Sequence, residues 1–284
     1  MKQRRIREIR TAQPARDGDG VAIRRVAGMG HAGMDPILMI DELRSAHRAD
    51  FGGGFPAHPH RGMQTLTYMK QGGIIHEDSQ GNRGEIRGGG AQWMSAGRGI
   101  IHSEMPTADT DGFHGFQIWV NLPAAEKLGA PRYRDITREA LALARGSGFE
   151  ATAIAGRWQL SGGGRGEIAV RGPLEELAER AGVLDLALLP GTALALDTDP
   201  TESVLGFVYD GAVIHDGAPI GSGHLLVTAG GASWQLQAGP AGASVLLLRG
   251  EPLREPVAHY GPFVMNTAEE IEQAIRDYQA GQFA

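Results

Sequence analysis

The chain has 284 residues, 42% of them hydrophobic and 21% charged, with a formal net charge of -6, a composition that suits one large or two medium globular domains. The mild acidity argues against a nucleic-acid binder that works through a broad basic surface, and no window reaches the roughly 18 apolar residues of a membrane span. With no cysteine, disulfides, thiolate metal ligands and a cysteine nucleophile are excluded.

The first ten residues are charged throughout and lack the apolar stretch of a secretory signal, so a cytoplasmic protein is expected. The 43 glycines and 15 prolines follow no collagen-like period, which predicts many short strands joined by tight turns. After the turn Asp17-Gly18-Asp19-Gly20, Val21 to Val26 reads as a strand, and Pro36 to Leu43 is a short apolar run of the kind that fills a sandwich interior. Phe51-Gly52-Gly53-Gly54 leads into Phe55-Pro56-Ala57-His58-Pro59-His60-Arg61-Gly62. Strands are then predicted at Gln64–Met69, Ile74–His76 and Ala91–Ser95, the last running into Ala96-Gly97-Arg98-Gly99-Ile100-Ile101-His102-Ser103-Glu104. Phe113–Leu122 is a further strong strand.

Pro123 to Gly148 changes character, with a helical turn expected at Pro123–Lys127 and a short helix or irregular arm at Thr137–Arg145; the interdomain connection is placed here. The short-strand pattern resumes at Ala151–Gly156, Val183–Leu189, Ser203–Gly211, His224–Val227 and Ser244–Leu248. The two halves share size and pattern, as diverged copies of one β-barrel would. Thr267-Ala268-Glu269-Glu270 is a capping box. Ile271, Ile275 and Tyr278 follow at helical spacing and Gly281 can end the helix.

The residues that carry chemistry are the two i, i+2 pairs. Side chains two apart on a strand point to the same face, so His58 and His60 converge, as do His102 and Glu104. If the two strands are neighbours inside a barrel, three imidazoles and one carboxylate meet at a point. Such a set suits Fe, Mn, Co, Ni, Cu or Zn and disfavours Mg and Ca. The lack of thiolates argues against a closed structural zinc site.

The segments Phe55–Gly62 and Gln92–Pro106, with the later Gly250–Pro256 and Gly261–Thr267, closely resemble the pirin family over nearly the whole chain. The resemblance implies an all-β bicupin: two cupin barrels (double-stranded β-helix jelly rolls) face to face, with a C-terminal helix. It places a metal-binding barrel at 1–128, a metal-free barrel at 129–265 and the helix at 266–284. It puts one metal of the Fe(II) type on His58, His60, His102 and Glu104, and none on the scattered His215, His224 and His259. The general cupin pattern has a glutamate where this chain has Gln64, which puts in doubt any chemistry that needs a second free carboxylate. The resemblance also implies quercetin 2,3-dioxygenase chemistry on a small aromatic flavonol with O₂, Glu104 doubling as the base. The alternative it carries is a redox-sensitive regulatory protein binding transcriptional or metabolic protein partners. A monomer is expected, without membrane or direct nucleic-acid contact.

Arg61 and Arg98 flank the ligands and are candidate anion-orienting groups. His76, Glu77 and Asp78 are candidates for support behind the ligands, and Trp93, Phe116 and Trp119 for the core or for stacking on substrate. No nucleophile elbow, phosphate loop or helical zinc-protease motif is present.

Overall fold

The computed structural model describes residues 2–162 and 165–283. The chain is built from antiparallel strands, with α-helices at Glu175–Ala178 and Ala268–Gln279 among the described residues. None of these helices is long and apolar enough to cross a membrane.

The chain divides into two compact units. One comprises Met1–Ala12, His31–Pro36 and Glu139–Pro252, the other Gln13–Gly30, Ile37–Arg138 and Leu253–Ala284. This partition departs from boundaries at 128 and 265 at both ends of the chain, and strand pairing gives the reason. The strand Ile6–Thr11 pairs with His224–Thr228, setting Ile9 opposite Leu226. At the other end, the amide of Val264 donates to the carbonyl of Arg61 at 3.0 Å. Such long-range pairings are invisible to a linear reading of composition.

Among the described residues, the first unit is a single sheet of eleven strands. Its longest strand, Ser233–Gly250, pairs with Ala193–Asp197 through its first residues and with Gly182–Leu188 through its last. It thereby spans a core of Trp158, Leu160, Leu184, Leu186, Trp234 and Leu247. The expected arm at Thr137–Arg145 is a 3₁₀ turn, Arg138–Ala140, followed by the strand Ala142–Gly146. That strand hairpins onto Phe149–Ala155, burying Ala144 and exposing Leu143; a two-residue alternation wins over helical propensity once a partner strand is available.

The second unit holds a seven-stranded and a four-stranded sheet. Directly opposed residues in antiparallel strands share a face, so the register reads out the inner face of the larger sheet in rows. One row is apolar: Ile23, Leu43, Gly115 and Met69. The next is polar: Arg25, Asp41, Gln117, Thr67, Gln92 and Asp135. The third is mostly apolar: Met39, Trp119, Thr65, Met94 and Tyr133. The apolar row packs with Ile74 and Ile86 of the smaller sheet. On the opposite face of the larger sheet Ile40, Leu66 and Ile118 are fully buried too, which is why these strands read as continuous apolar runs rather than alternations.

The C-terminal helix Ala268–Gln279 begins as expected, with Thr267 and Glu270 forming a reciprocal capping box. Ile271 and Ala274 are buried with Phe263, Met265 and Phe283. Tyr278 is partly exposed, and Gly281 takes φ +73° just past the last turn.

Candidate metal centre

The first ligand pair lies on Phe55–His60, at the edge of the four-stranded sheet. Pro56 and Pro59 explain that position, because proline cannot donate to a strand on both sides. The second pair lies on the adjacent strand Ile100–Pro106, with His102 directly opposite His58 and Ile100 opposite His60. A bulge between His102 and Glu104 shifts the register so that Glu104 opposes Phe55. The loops that follow and precede the two pairs are tied together: Gly62 N donates to Gly97 O at 2.9 Å, and Ala96 N to Met63 O at 2.9 Å. Gly62 has φ +76°, and a Cβ there would sit 2.0 Å from the Val264 carbonyl; only glycine fits.

The three imidazoles come together as the spacing implied. Ring centroids are 4.9 Å apart for His58 and His60, 4.4 Å for His58 and His102, and 5.0 Å for His60 and His102. One nitrogen from each lies within 4.8 Å of the others. His58 Nδ1 donates to the Pro56 carbonyl at 2.8 Å, which leaves its Nε2 with a free lone pair, 3.0 Å from His60 Nε2. His102 Nε2 is buried with no hydrogen-bond partner. Burial, reinforced by the neighbouring histidines, holds His60 and His102 well below the usual imidazole pKa. Neutral rings with inward lone pairs are what metal ligation requires, and a buried unpartnered nitrogen would otherwise cost about 1–3 kcal/mol. The residues fit a divalent transition metal.

Glu104 shares the inner face and is buried, but lies outside the tight three-histidine group. Thr67 Oγ1 stands 2.7 Å from Glu104 Oε1 and 2.6 Å from Gln117 Oε1, and Gln117 Nε2 donates to Glu104 Oε2 at 3.3 Å. The middle polar row of the larger sheet therefore meets the ligand strand at this carboxylate. Farther along that row Arg25 makes a two-pronged contact with Asp41 at 3.0 and 2.8 Å. Burial raises the Asp41 carboxyl, with Arg25 opposing the rise.

His58, His60 and Glu104 open onto a cavity of about 740 Å³. Its walls are apolar at Ile23, Met29, Met39, Leu43, Phe55 and Trp119, with Arg25, Asp41 and Gln117 as polar points. The Trp119 ring meets His60 edge-on at 5.1 Å.

Comparison with known proteins gives the family. The pirin family model matches residues 20–120, and the model of the pirin C-terminal cupin domain matches residues 183–284. The chain belongs to the pirin family. A Vibrio cholerae protein named "Putative quercetin 2,3-dioxygenase" is 44% identical, over 99% of this chain and 98% of its own. Human pirin is 37% identical over 93% and 88% of the two chains. The crystal structure of a quercetin 2,3-dioxygenase from Acinetobacter baumannii superimposes with a TM-score of 0.87 at 28% identity, covering 99% of both chains. Both units are thus cupin domains.

Within this bicupin, the remaining candidates fall into place. Arg61 faces away from the cavity: its Nε donates to the Arg98 carbonyl at 2.5 Å, its Nη1 to Asp277 at 2.7 Å, and it stacks on Phe283. It anchors the C-terminal helix, while Arg98 is exposed. Glu77 pairs with exposed Arg83, whereas His76 and Asp78 lie directly behind His102. Trp93 and Phe116 are buried core and Trp119 lines the cavity.

His215 and His224 belong to the other unit; His259 stands at the cavity. Gln64 accepts from Trp93 Nε1 at 3.2 Å and has the strand parity opposite to Thr65 and Thr67, so it points away from the ligands. Thr67, Gln117, Arg25 and Asp41 were not singled out from sequence. Their strands were recognised, but nothing in one strand tells which of its faces meets another sheet.

Proposed function

We propose that this pirin is a metal-dependent dioxygenase of flavonol-type substrates such as quercetin, with Fe(II) the first choice among Fe, Mn, Co, Ni, Cu and Zn. His58, His60 and His102 hold the ion and Glu104 completes the set. The observation that carries the reading is a trio of converging imidazoles beside an apolar-walled cavity of about 740 Å³. The names of the Vibrio and Acinetobacter relatives point to the same substrate class. When bound, the ion supplies Lewis acidity toward a substrate hydroxyl and a meeting place for O₂.

The protein's own part is positioning and proton transfer. Ile23, Met39, Leu43 and Trp119 provide flat apolar surface that excludes water from an aromatic ligand. Glu104 Oε2 takes the proton of the flavonol 3-hydroxyl, and Thr67 and Gln117 keep the carboxylate aimed. The activated flavonol then reacts with O₂, its central ring opening with release of carbon monoxide. Oxygen uptake with quercetin, measured on Fe(II)-loaded and chelator-stripped protein, tests this. Uptake is expected in the loaded protein alone and is lost in His58→Ala. Glu104→Gln, which keeps the shape but cannot take the proton, is expected to lower turnover by about 10²–10⁴-fold. Equal uptake by stripped and loaded protein, or none by the loaded wild type, would overturn the proposal.

A further inference from the structure

Behind His102 lies a second, metal-remote row of groups. His102 Nδ1 is 3.3 Å from His76 Nδ1, and His76 Nε2 is 3.1 Å from Asp78 Oδ2. Asp78 is itself fixed by four donated hydrogen bonds: Gln80 N at 2.9 Å and Asn82 N at 3.0 Å to Oδ1, and Asn82 Nδ2 at 3.2 and 2.9 Å to Oδ1 and Oδ2. The His76 ring lies against Tyr133 at 4.4 Å, nearly parallel, and is 1% exposed. The Asp78 side chain is fully buried, with His76 as its hydrogen-bond partner.

The row has one consistent assignment of protons. His102 has Nε2 buried without a partner in the three-histidine group, so as a ligand through Nε2 it carries its proton on Nδ1. His76 must accept that proton's hydrogen bond at Nδ1 and therefore carries its own on Nε2. That proton points at Asp78, which as a carboxylate only accepts. Each group fixes the tautomer of the one before it, and the carboxylate's charge makes His102 Nε2 a stronger donor.

Resting on the reading of His102 as a metal ligand, we propose that His76 and Asp78 are positioning residues that lock the ligating tautomer of His102 and raise its affinity for the ion. Neither touches the cavity, so their effect travels through one ring. The pattern is unusual in that an imidazole, rather than a carboxylate or backbone carbonyl, stands directly behind the ligand.

The test uses zinc(II) as probe, titrated against a chromophoric chelator, with ¹⁵N NMR of the His102 ring in the zinc-loaded protein. In the wild type, zinc binding and a protonated Nδ1 on His102 are expected. Asp78→Asn and His76→Phe are each expected to weaken zinc binding about 10–100-fold and to shift the His102 Nδ1 resonance. His76→Asn, whose amide oxygen replaces the Nδ1 acceptor, is expected to recover part of the loss seen in His76→Phe. Asp78→Asn is nearly isosteric and serves if His76→Phe does not fold. Wild-type zinc affinity and an unmoved His102 resonance in folded Asp78→Asn would overturn the inference. Loss of the metal reading itself looks different: His58→Ala would then bind zinc as well as the wild type.

Discussion

Lowering the pH of metal-free protein should destabilise it through His60 and His102. Both rings are almost fully buried and held well below the ordinary imidazole value, so the folded protein keeps them neutral while the unfolded chain titrates near 6.5. The unfolded state therefore binds more protons below that pH, and stability falls as pH drops until the folded value is reached. Between pH 7.5 and 5.5, each ring that stays neutral when folded costs about 1.4 kcal/mol, and the pair about 2.7 kcal/mol. For a chain of this size that is a fall in Tm of about 5–10 °C. Urea titrations of chelator-treated protein at the two pH values measure the difference. The double variant His60→Gln/His102→Gln serves as the reference, because it cancels the contributions of all other groups. The argument fails if wild type and double variant lose the same stability over this interval.

Lys127 is 1% exposed and its Nζ donates to Gly62 O at 2.7 Å, Asn121 Oδ1 at 2.6 Å and Val264 O at 3.1 Å; burial brings its pKa down to about 8. Lys127→Met leaves those acceptors unpaired and should cost about 1–3 kcal/mol in urea denaturation, with zinc affinity also reduced because Gly62 adjoins the strand Phe55–His60. Thr67→Val removes one donor from the buried Glu104 carboxylate at constant shape. It should slow quercetin-dependent oxygen uptake by about 10–100-fold, as the loss of a charge-assisted hydrogen bond of about 1.5–3 kcal/mol dictates. Gln64→Glu places a carboxylate on the face away from the cavity and should change zinc affinity and oxygen uptake less than about two-fold, read by the same two assays.

The candidate ligands are legible because they are local. Two residues apart on a strand is a statement about one face, and both His58/His60 and His102/Glu104 keep it. The capping box at Thr267 is local in the same sense. What escaped the sequence depends on pairing. Ile6–Thr11 carries no mark that its partner is His224–Thr228. Thr67 and Gln64 lie on one predicted strand, and only its register with Phe113–Asn121 and Ala91–Ser95 decides that Thr67 faces the ligands and Gln64 does not. Gln64 therefore lies on the face opposite Thr65 and Thr67, bonded to Trp93.

The polar row from Arg25 to Asp135 is the feature that foldability alone would not select. Burying Asp41, Thr67 and Gln92 between two rows of mainly apolar side chains costs desolvation energy that hydrogen bonds largely offset, without a net gain over an apolar core. Such a row is tolerable only if nearly every member is satisfied, and here it is: Asp41 by Arg25, Gln92 by Tyr133 and Asp135, Thr67 by Glu104. Beside this row, in the three-histidine group, His102 Nε2 and His60 Nδ1 are buried without a hydrogen-bond partner. A satisfied polar row beside buried ring nitrogens without partners is an arrangement that a site for a polar or charged ligand explains and that packing alone does not.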